Sequence, residues 1–293
     1  MRLSLLTSLV SFPLAVAAEP TILWQIDETF LAPESVCFDA ETGIGFVSQL
    51  GEGGGKTKDG DGRISKITLD GKITALDWVV DLDAPKGMAI HDGWLWVTDI
   101  DELVAIEVAT GKVIRRVAVE NVEMLNDVAA GPDGEIYFTD FFGNQIFRLP
   151  KDGEPELLAS GKELEMPNGV TVRDGKLYFA SWGRSLADDF STRTPGRVFS
   201  MTLPGKKIEA FTKEETGNLD GIEPLEGNGF LVTDWFAGKV YHLEEDGTAR
   251  SILERGRGAA DLEVVERDGR TLIFLPEMLE NRLVCLALSG AKD

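Results

Sequence analysis

The sequence predicts an all-β fold, a six-bladed β-propeller with four antiparallel strands per blade, and three observations carry that prediction. A short phrase recurs six times, as Pro33-Glu34-Ser35-Val36, Pro85-Lys86-Gly87-Met88, Leu125-Asn126-Asp127-Val128, Pro167-Asn168-Gly169-Val170, Leu219-Asp220-Gly221-Ile222 and Ala259-Ala260-Asp261-Leu262. From Glu34 to Ala260 its steps are 52, 40, 42, 52 and 40 residues, a period near 40 with two lengthened units, which marks a repeat architecture. Turn dipeptides recur at two fixed places in most repeats, and no stretch of useful length has helical periodicity.

Taken in order, the chain begins with Arg2, a largely apolar run from Leu3 to Val16, and small residues at Ala15, Ala17 and Ala18. This pattern reads as a signal peptide over residues 1–18, too short and too broken by Thr7, Ser8, Ser11 and Pro13 for a membrane span. A secreted or periplasmic protein is therefore expected. Residues 19–293 then form one propeller domain, because the repeat runs evenly through them. Thr21 to Ile26 is a strand without a partner in its own repeat.

The third repeat shows the anatomy of a unit. Strands are expected over Asp127 to Ala130, Glu135 to Thr139, Gln145 to Leu149 and Glu156 to Ala159, separated by Pro132-Asp133-Gly134, Gly143-Asn144 and Lys151-Asp152-Gly153. The first hairpin turn recurs as Asp92-Gly93, Asp174-Gly175, Asn228-Gly229 and Asp268-Gly269. The later one recurs as Asp70-Gly71, Thr110-Gly111, Pro204-Gly205 and Asp246-Gly247. The last repeat stops after its third strand, Arg282 to Leu288, so the N-terminal strand is expected to complete the sixth blade and leave no open seam.

Two connections are oversized, Gln49 to Gly62 and Ser181 to Gly196. Each joins a second strand to a third, and strand direction places both over the face where the recurring phrase begins. The segment from Lys56 to Arg63 holds Asp59, Asp61 and Gly62 but lacks the carboxylates of an EF-hand register, and reads as a solvated, mobile lid. Cys37 and Cys285 lie in strands of the first and last repeats, which a ring makes neighbours; a closing disulfide and two buried free thiols are both compatible.

A formal charge of −21, or −22 once Arg2 is removed, repels polyanions and excludes nucleic acid as a partner. Carboxylates gathered in one place favour cations instead. Equivalent positions of a ring converge on its axis, and the second residue of the phrase reads Glu34, Lys86, Asn126, Asn168, Asp220 and Ala260. Glu34, Asn126, Asn168 and Asp220 offer an all-oxygen set suited to Ca²⁺ rather than Zn²⁺, with positions left for water or substrate. Turn capping accounts for Asn or Asp at any single position, but not for Glu34. One residue further along, Asp127 and Asp261 could hold a second cation, or cap turns and bind water.

The Pro-Glu-Ser-Val, Leu-Asn-Asp-Val, Pro-Asn-Gly-Val and Leu-Asp-Gly-Ile copies within this layout resemble the SMP-30/gluconolactonase/LRE-like propellers, related to diisopropylfluorophosphatase and paraoxonase. That resemblance implies a catalytic calcium held by Glu34, Asn126, Asn168 and Asp220 at the top of a central tunnel. In some members the equivalent of Asn126 lies nearer substrate than metal. The implied chemistry is hydrolysis of a small-molecule lactone, ester or phosphotriester, with Asp220 as the base by that analogy; Lys86, by its position, is the other candidate base.

Lys86 departs from the paraoxonase pattern, which keeps a histidine near this position. Three roles fit it: a base or neutral donor made by burial beside a cation, a charged grip for an anionic substrate, and a structural ion pair with Glu34 or Asp220. His91 and His242 fall away from the column, so a Ser-His-Asp arrangement is not expected, and two cysteines without partner histidines give no zinc motif. Trp182, Arg184 and Trp235 are the candidate substrate contacts, with Phe141, Phe142 and Phe236 beside them; packing between blades is the competing role of the aromatics. A non-catalytic propeller that binds a partner and keeps calcium for structure is the alternative to a hydrolase.

Overall fold

A computed structural model describes residues 19–203, 207–227 and 229–288. The proposed signal peptide, the Pro204-Gly205 turn and Asn228 lie outside the described residues. The protein is all-β, with two short 3-10 turns among the described residues, Lys162–Leu164 and Met278–Glu280. None of its described helices is long and apolar enough to cross a membrane.

Six four-stranded antiparallel sheets follow one another around a ring. Blade 1 contains Pro33–Asp39, Ile44–Gln49, Gly62–Thr68 and Ile73–Leu82; blade 2 contains Pro85–His91, Trp94–Asp99, Glu102–Glu107 and Val113–Ala118. Blade 3 contains Leu125–Ala130, Ile136–Asp140, Gln145–Leu149 and Glu156–Ser160; blade 4 contains Pro167–Arg173, Lys176–Ser181, Val198–Thr202 and Ile208–Ala210. Blade 5 contains Leu219–Pro224, Phe230–Asp234, Lys239–Leu243 and Ala249–Glu254, and blade 6 contains Glu263–Arg267, Arg270–Glu277 and Arg282–Leu288. Thr21–Ile26 supplies the outermost strand of blade 6, pairing antiparallel with Arg282–Leu288 from Thr21 opposite Ala287 to Ile26 opposite Leu283. The first and last segments of the fold thus share one sheet, which removes the exposed edge a linear array would leave.

Burial falls from axis to rim, and residue types follow it. First strands such as Pro33–Asp39 are buried almost throughout, because neighbours flank both faces. Outer strands such as Val113–Ala118 alternate buried and exposed positions, with Arg115 and Arg116 among them. Between blades lie six apolar clusters, one for each adjacent pair. Phe46, Phe138, Phe179, Phe230 and Phe274, all on second strands, are fully buried in these seams. Burying each such ring contributes roughly 1.5–3 kcal/mol, so the seams hold the ring together.

The recurring phrase has a backbone counterpart. In blades 1 to 5 the register between first and second strands shifts within the phrase, between its first and fourth residues. A bulge at that point puts an extra residue on the inner strand and turns side chains toward the axis. Blade 6 differs: its inner strand begins only at Glu263, and Ala259 and Asp261 join the ring through single bridges to Glu277 and Ser35.

Cys37 and Cys285 are free thiols, both buried. Val36 and Phe38 face the seam between blades 6 and 1, together with Cys285, whereas strand alternation sends Cys37 to the seam between blades 1 and 2. The two sulfurs sit on opposite faces of blade 1, and the ring-closing disulfide is not formed.

Candidate functional site

The bulges deliver the column as the spacing predicts. Glu34 (4% exposed), Lys86 (2%), Asn126 (7%), Asn168 (2%) and Asp220 (5%) are all withdrawn from solvent at the axis. Close approach of inner strands requires the glycines that follow them. A Cβ at Gly87 would strike Asp127 Oδ1 and one at Gly169 would strike the Asp220 carbonyl.

Hydroxyls on the second strands lock this ring. Thr139 Oγ1 accepts from the Asp127 N–H (3.0 Å) and donates to the Asn168 carbonyl of the next blade (2.8 Å). Thr98 Oγ1 donates to the Asn126 carbonyl, Thr233 Oγ1 accepts from Gly221 N–H (2.8 Å), and Ser48 Oγ accepts from Ser35 N–H (3.0 Å). The next residue caps the strand before it: Asp99 accepts from Ala84 N–H (2.7 Å) and Asp140 from Met124 N–H (2.8 Å). Sequence reasoning passed over this layer, although Thr98-Asp99, Thr139-Asp140 and Thr233-Asp234 repeat visibly.

Electrostatically the column is a strained collection of acids. Burial pushes the Glu34 carboxyl well up, and the neighbouring Asp220 and Asp261 charges add to it against Lys86. Asp220 is raised by burial and then by Asp261 and Asp234. Two oxygens of the column are buried with no hydrogen-bond partner, Glu34 Oε2 and Asn168 Oδ1. Orphaned acceptors of this kind cost about 1–3 kcal/mol each unless something positive reaches them. An oxygen-ligated cation such as calcium fits that need, with Glu34, Asn168, Asp220 and Asn126 as the donors. Among the described residues no group of three or more His, Cys, Asp or Glu is gathered as a metal site, so such a set depends on the asparagine amides.

Below this layer Asp127 and Asp261 are already engaged. Asp127 accepts from Val128 N–H (2.7 Å) and Val170 N–H (2.6 Å), and Asp261 accepts from Ser35 Oγ (2.7 Å). Asp127 thus caps backbone groups, while Asp261 joins the Ser35 side chain of the neighbouring blade. Burial still raises Asp127 well above its usual range and Asp261 to about 7. Glu223 and Glu263, unforeseen from the sequence, extend the acid column: burial and then its neighbours raise Glu223, while burial carries Glu263 to about 8. Both stand two residues beyond the phrase's third position, where strand alternation returns to the axis.

Lys86 makes no direct ion pair with Glu34 or Asp220; its Nζ donates to the Ala84 carbonyl (2.9 Å). Burial lowers it to about 8, opposed by the Glu34 and Asp99 charges. The structural ion pair expected as one of its roles is therefore absent.

Both long connections overhang the column. A Cβ at Gly55, in the first of them, would lie 3.5 Å from Lys86 Cε and 3.8 Å from Met124 Sδ. That segment is largely exposed but pinned, by Lys58 to Asp101 (2.6 Å), Gly60 N–H to Asp83 (3.1 Å) and Glu52 N–H to Asp61 (2.7 Å). The second contains a two-stranded hairpin, Gly183–Leu186 with Thr192–Pro195, which turn composition did not reveal. Its tip is tied down by Trp182 Nε1 donating to the Phe190 carbonyl (2.9 Å).

The candidate substrate contacts divide. Trp182 is buried with Phe141 and Met124 in a cluster spanning the top of the blades, so it packs rather than lines an open wall. Trp235 is half-buried, 5.7 Å from Trp182, with the Arg257 guanidinium over its ring. Arg184 is exposed and faces Glu165 (3.3 Å). His91 borders a groove of about 340 Å³ with Trp94, Trp96 and Lys151, among the hairpin turns away from the column.

No family model matches the chain, and no curated protein does. Solved structures with the same fold include a gluconolactonase from Xanthomonas campestris, at 17% identity over 94% of this chain and 96% of that one, TM-score 0.69. A virginiamycin B lyase from Staphylococcus aureus matches at 18% identity over 91% and 99%, TM-score 0.61. A chain of a nidogen/laminin complex matches at 14% identity over 82% and 91%, TM-score 0.60. These likenesses establish the propeller fold, which enzymes share with a protein from a protein–protein complex.

Proposed function

We propose that this protein is an extracytoplasmic, calcium-dependent hydrolase of a lactone or related ester, acting at the axial column. The observation that carries the reading is the pair of buried, partnerless oxygens, Glu34 Oε2 and Asn168 Oδ1, beside Asp220 on the same ring. Glu34, Asn168 and Asp220, with Asn126, would hold the ion. Bound calcium supplies positive charge that polarises an ester carbonyl. Asp220 would take a proton from an attacking water at its carboxylate. With one N–H spent on Ala84, Lys86 Nζ has hydrogens left for a substrate oxygen. The two overhanging segments exclude bulk water, which strengthens each of these interactions. A leader over residues 1–18 would place this chemistry outside the cytoplasm.

A second reading, a non-catalytic binding propeller with structural calcium, draws on the enclosure of the column and on the open groove at His91 and Trp94 on another part of the surface. The two separate in a panel of aldonolactones, acyl lactones and aryl esters assayed with calcium and with chelator, for wild type and Asp220→Ala. Turnover that needs calcium and falls about 100-fold or more in the variant is expected. Hydrolysis indifferent to both changes would sink the metal-assisted reading. A melting temperature lowered by chelator, with no substrate turned over, would favour the binding propeller.

A further inference from the structure

Three basic side chains stand about the mouth of the column in a chain with 50 acidic and 29 basic residues. Lys86 lies at the axis, Lys56 on the segment above it, and Arg257 between the last strand of blade 5 and blade 6. Their recorded contacts are not carboxylates. Lys86 Nζ donates to a carbonyl, Lys56 Nζ stands 4.6 Å above the Phe142 ring, and Arg257 lies over Trp235 (5.0 Å) and Phe236 (4.2 Å) while donating to the Asp189 carbonyl. Lys58, two residues from Lys56, shows the ordinary alternative in its 2.6 Å pair with Asp101.

Lys86 feels the Glu34 and Asp99 carboxylates and, less strongly, the Lys56 ammonium. The arrangement is continuous across both overhanging segments. Lys56 sits on Phe142, Phe142 contacts Phe190 (6.5 Å between ring centroids), and Arg257 reaches the residue before Phe190. Positive groups over aromatic faces form a surface that takes a carboxylate on one side and an apolar body on the other.

We infer, resting on the hydrolase reading, that the substrate bears a carboxylate besides its ester or lactone bond, received by Lys86 and Lys56 with Arg257 across the mouth. This separates the chain's specificity from that of an enzyme for neutral sugar lactones, because two unpaired cations favour the charged form over an uncharged isostere.

Isothermal titration of the calcium-loaded protein with phenylacetate and with phenylacetamide tests this directly. Phenylacetate should bind about tenfold or more tightly than the amide, and Lys56→Gln should weaken phenylacetate about three- to tenfold while leaving the amide unchanged. Lys56→Arg should keep most of the selectivity, and raised salt should reduce it. Equal binding of the two probes, no binding of either, or indifference to Lys56→Gln overturns the inference even where neutral lactones are hydrolysed. Carboxylate-selective binding without turnover of any ester would instead sink the hydrolase reading and leave the anion pocket standing.

Discussion

Glu34 concentrates the physical tension of this site. Its carboxylate is buried, faces Asp220 and Asp261, and leaves Oε2 without a donor. Replacing it with the isosteric amide removes a buried charge from a crowd of like charges. Glu34→Gln should therefore be no less stable than wild type in chelator. The calcium response should differ: saturation at about 100 times the dissociation constant adds roughly 2.7 kcal/mol to wild type, and the variant should gain clearly less. Thermal unfolding with and without calcium measures both, and an unchanged calcium shift in Glu34→Gln would remove this residue from the ligand set. Glu34 was legible in the sequence because neither turn chemistry nor core packing accounts for a glutamate there. Glu223 and Glu263 were not, since a single acid on a strand reads as solvent-facing until the ring defines which face is inside.

At the scale of elements, the bulged inner strand and the hydroxyl that braces it work together. Thr139 joins three strands, taking the Asp127 N–H and reaching the Asn168 carbonyl on the neighbouring blade. Thr139→Val keeps the shape and removes both bonds, leaving a buried donor and acceptor unmet at a cost of about 1–3 kcal/mol. Denaturant unfolding should show that loss in Thr139→Val and its recovery in Thr139→Ser. A valine variant as stable as wild type would mean that the strands hold the ring without this brace. Strand existence was readable from turn dipeptides and alternation, and the third-repeat strands lie within two residues of their expected ends. The hairpin inside the second long connection was not readable. Gly183–Leu186 and Thr192–Pro195 lack an apolar stripe, and their pairing is helped by anchors such as Trp182 and Asn218 outside the hairpin itself.

Across the whole molecule, closure rests on Thr21–Ile26 completing blade 6. Trp24 and Ile26 pack on the seam that buries Phe274, Leu283 and Cys285. A chain beginning after Ile26 would expose the edge of Arg282–Leu288 and open that seam. Such a truncation should lose a single cooperative unfolding transition and elute as aggregates in size-exclusion chromatography. A monomer with wild-type melting would refute the idea that this strand locks the ring. The same geometry explains the free thiols, because closure made Cys37 and Cys285 neighbours by blade but sent them to opposite faces of blade 1.

The amino-acid sequence alone determined the number of blades, the closing strand and the column at the axis. Those follow from a period of about 40 residues, the two-residue alternation of strands and the chemistry of their turns. Tertiary structure alone decided that Lys86 bonds a carbonyl rather than a carboxylate, that Trp182 is packed, that Asp127 takes backbone N–H groups while Asp261 takes the Ser35 hydroxyl, and that the cysteines stay apart. Each of these depends on which atoms of distant blades meet within a few ångströms, and a repeat specifies position on the ring without specifying such contacts.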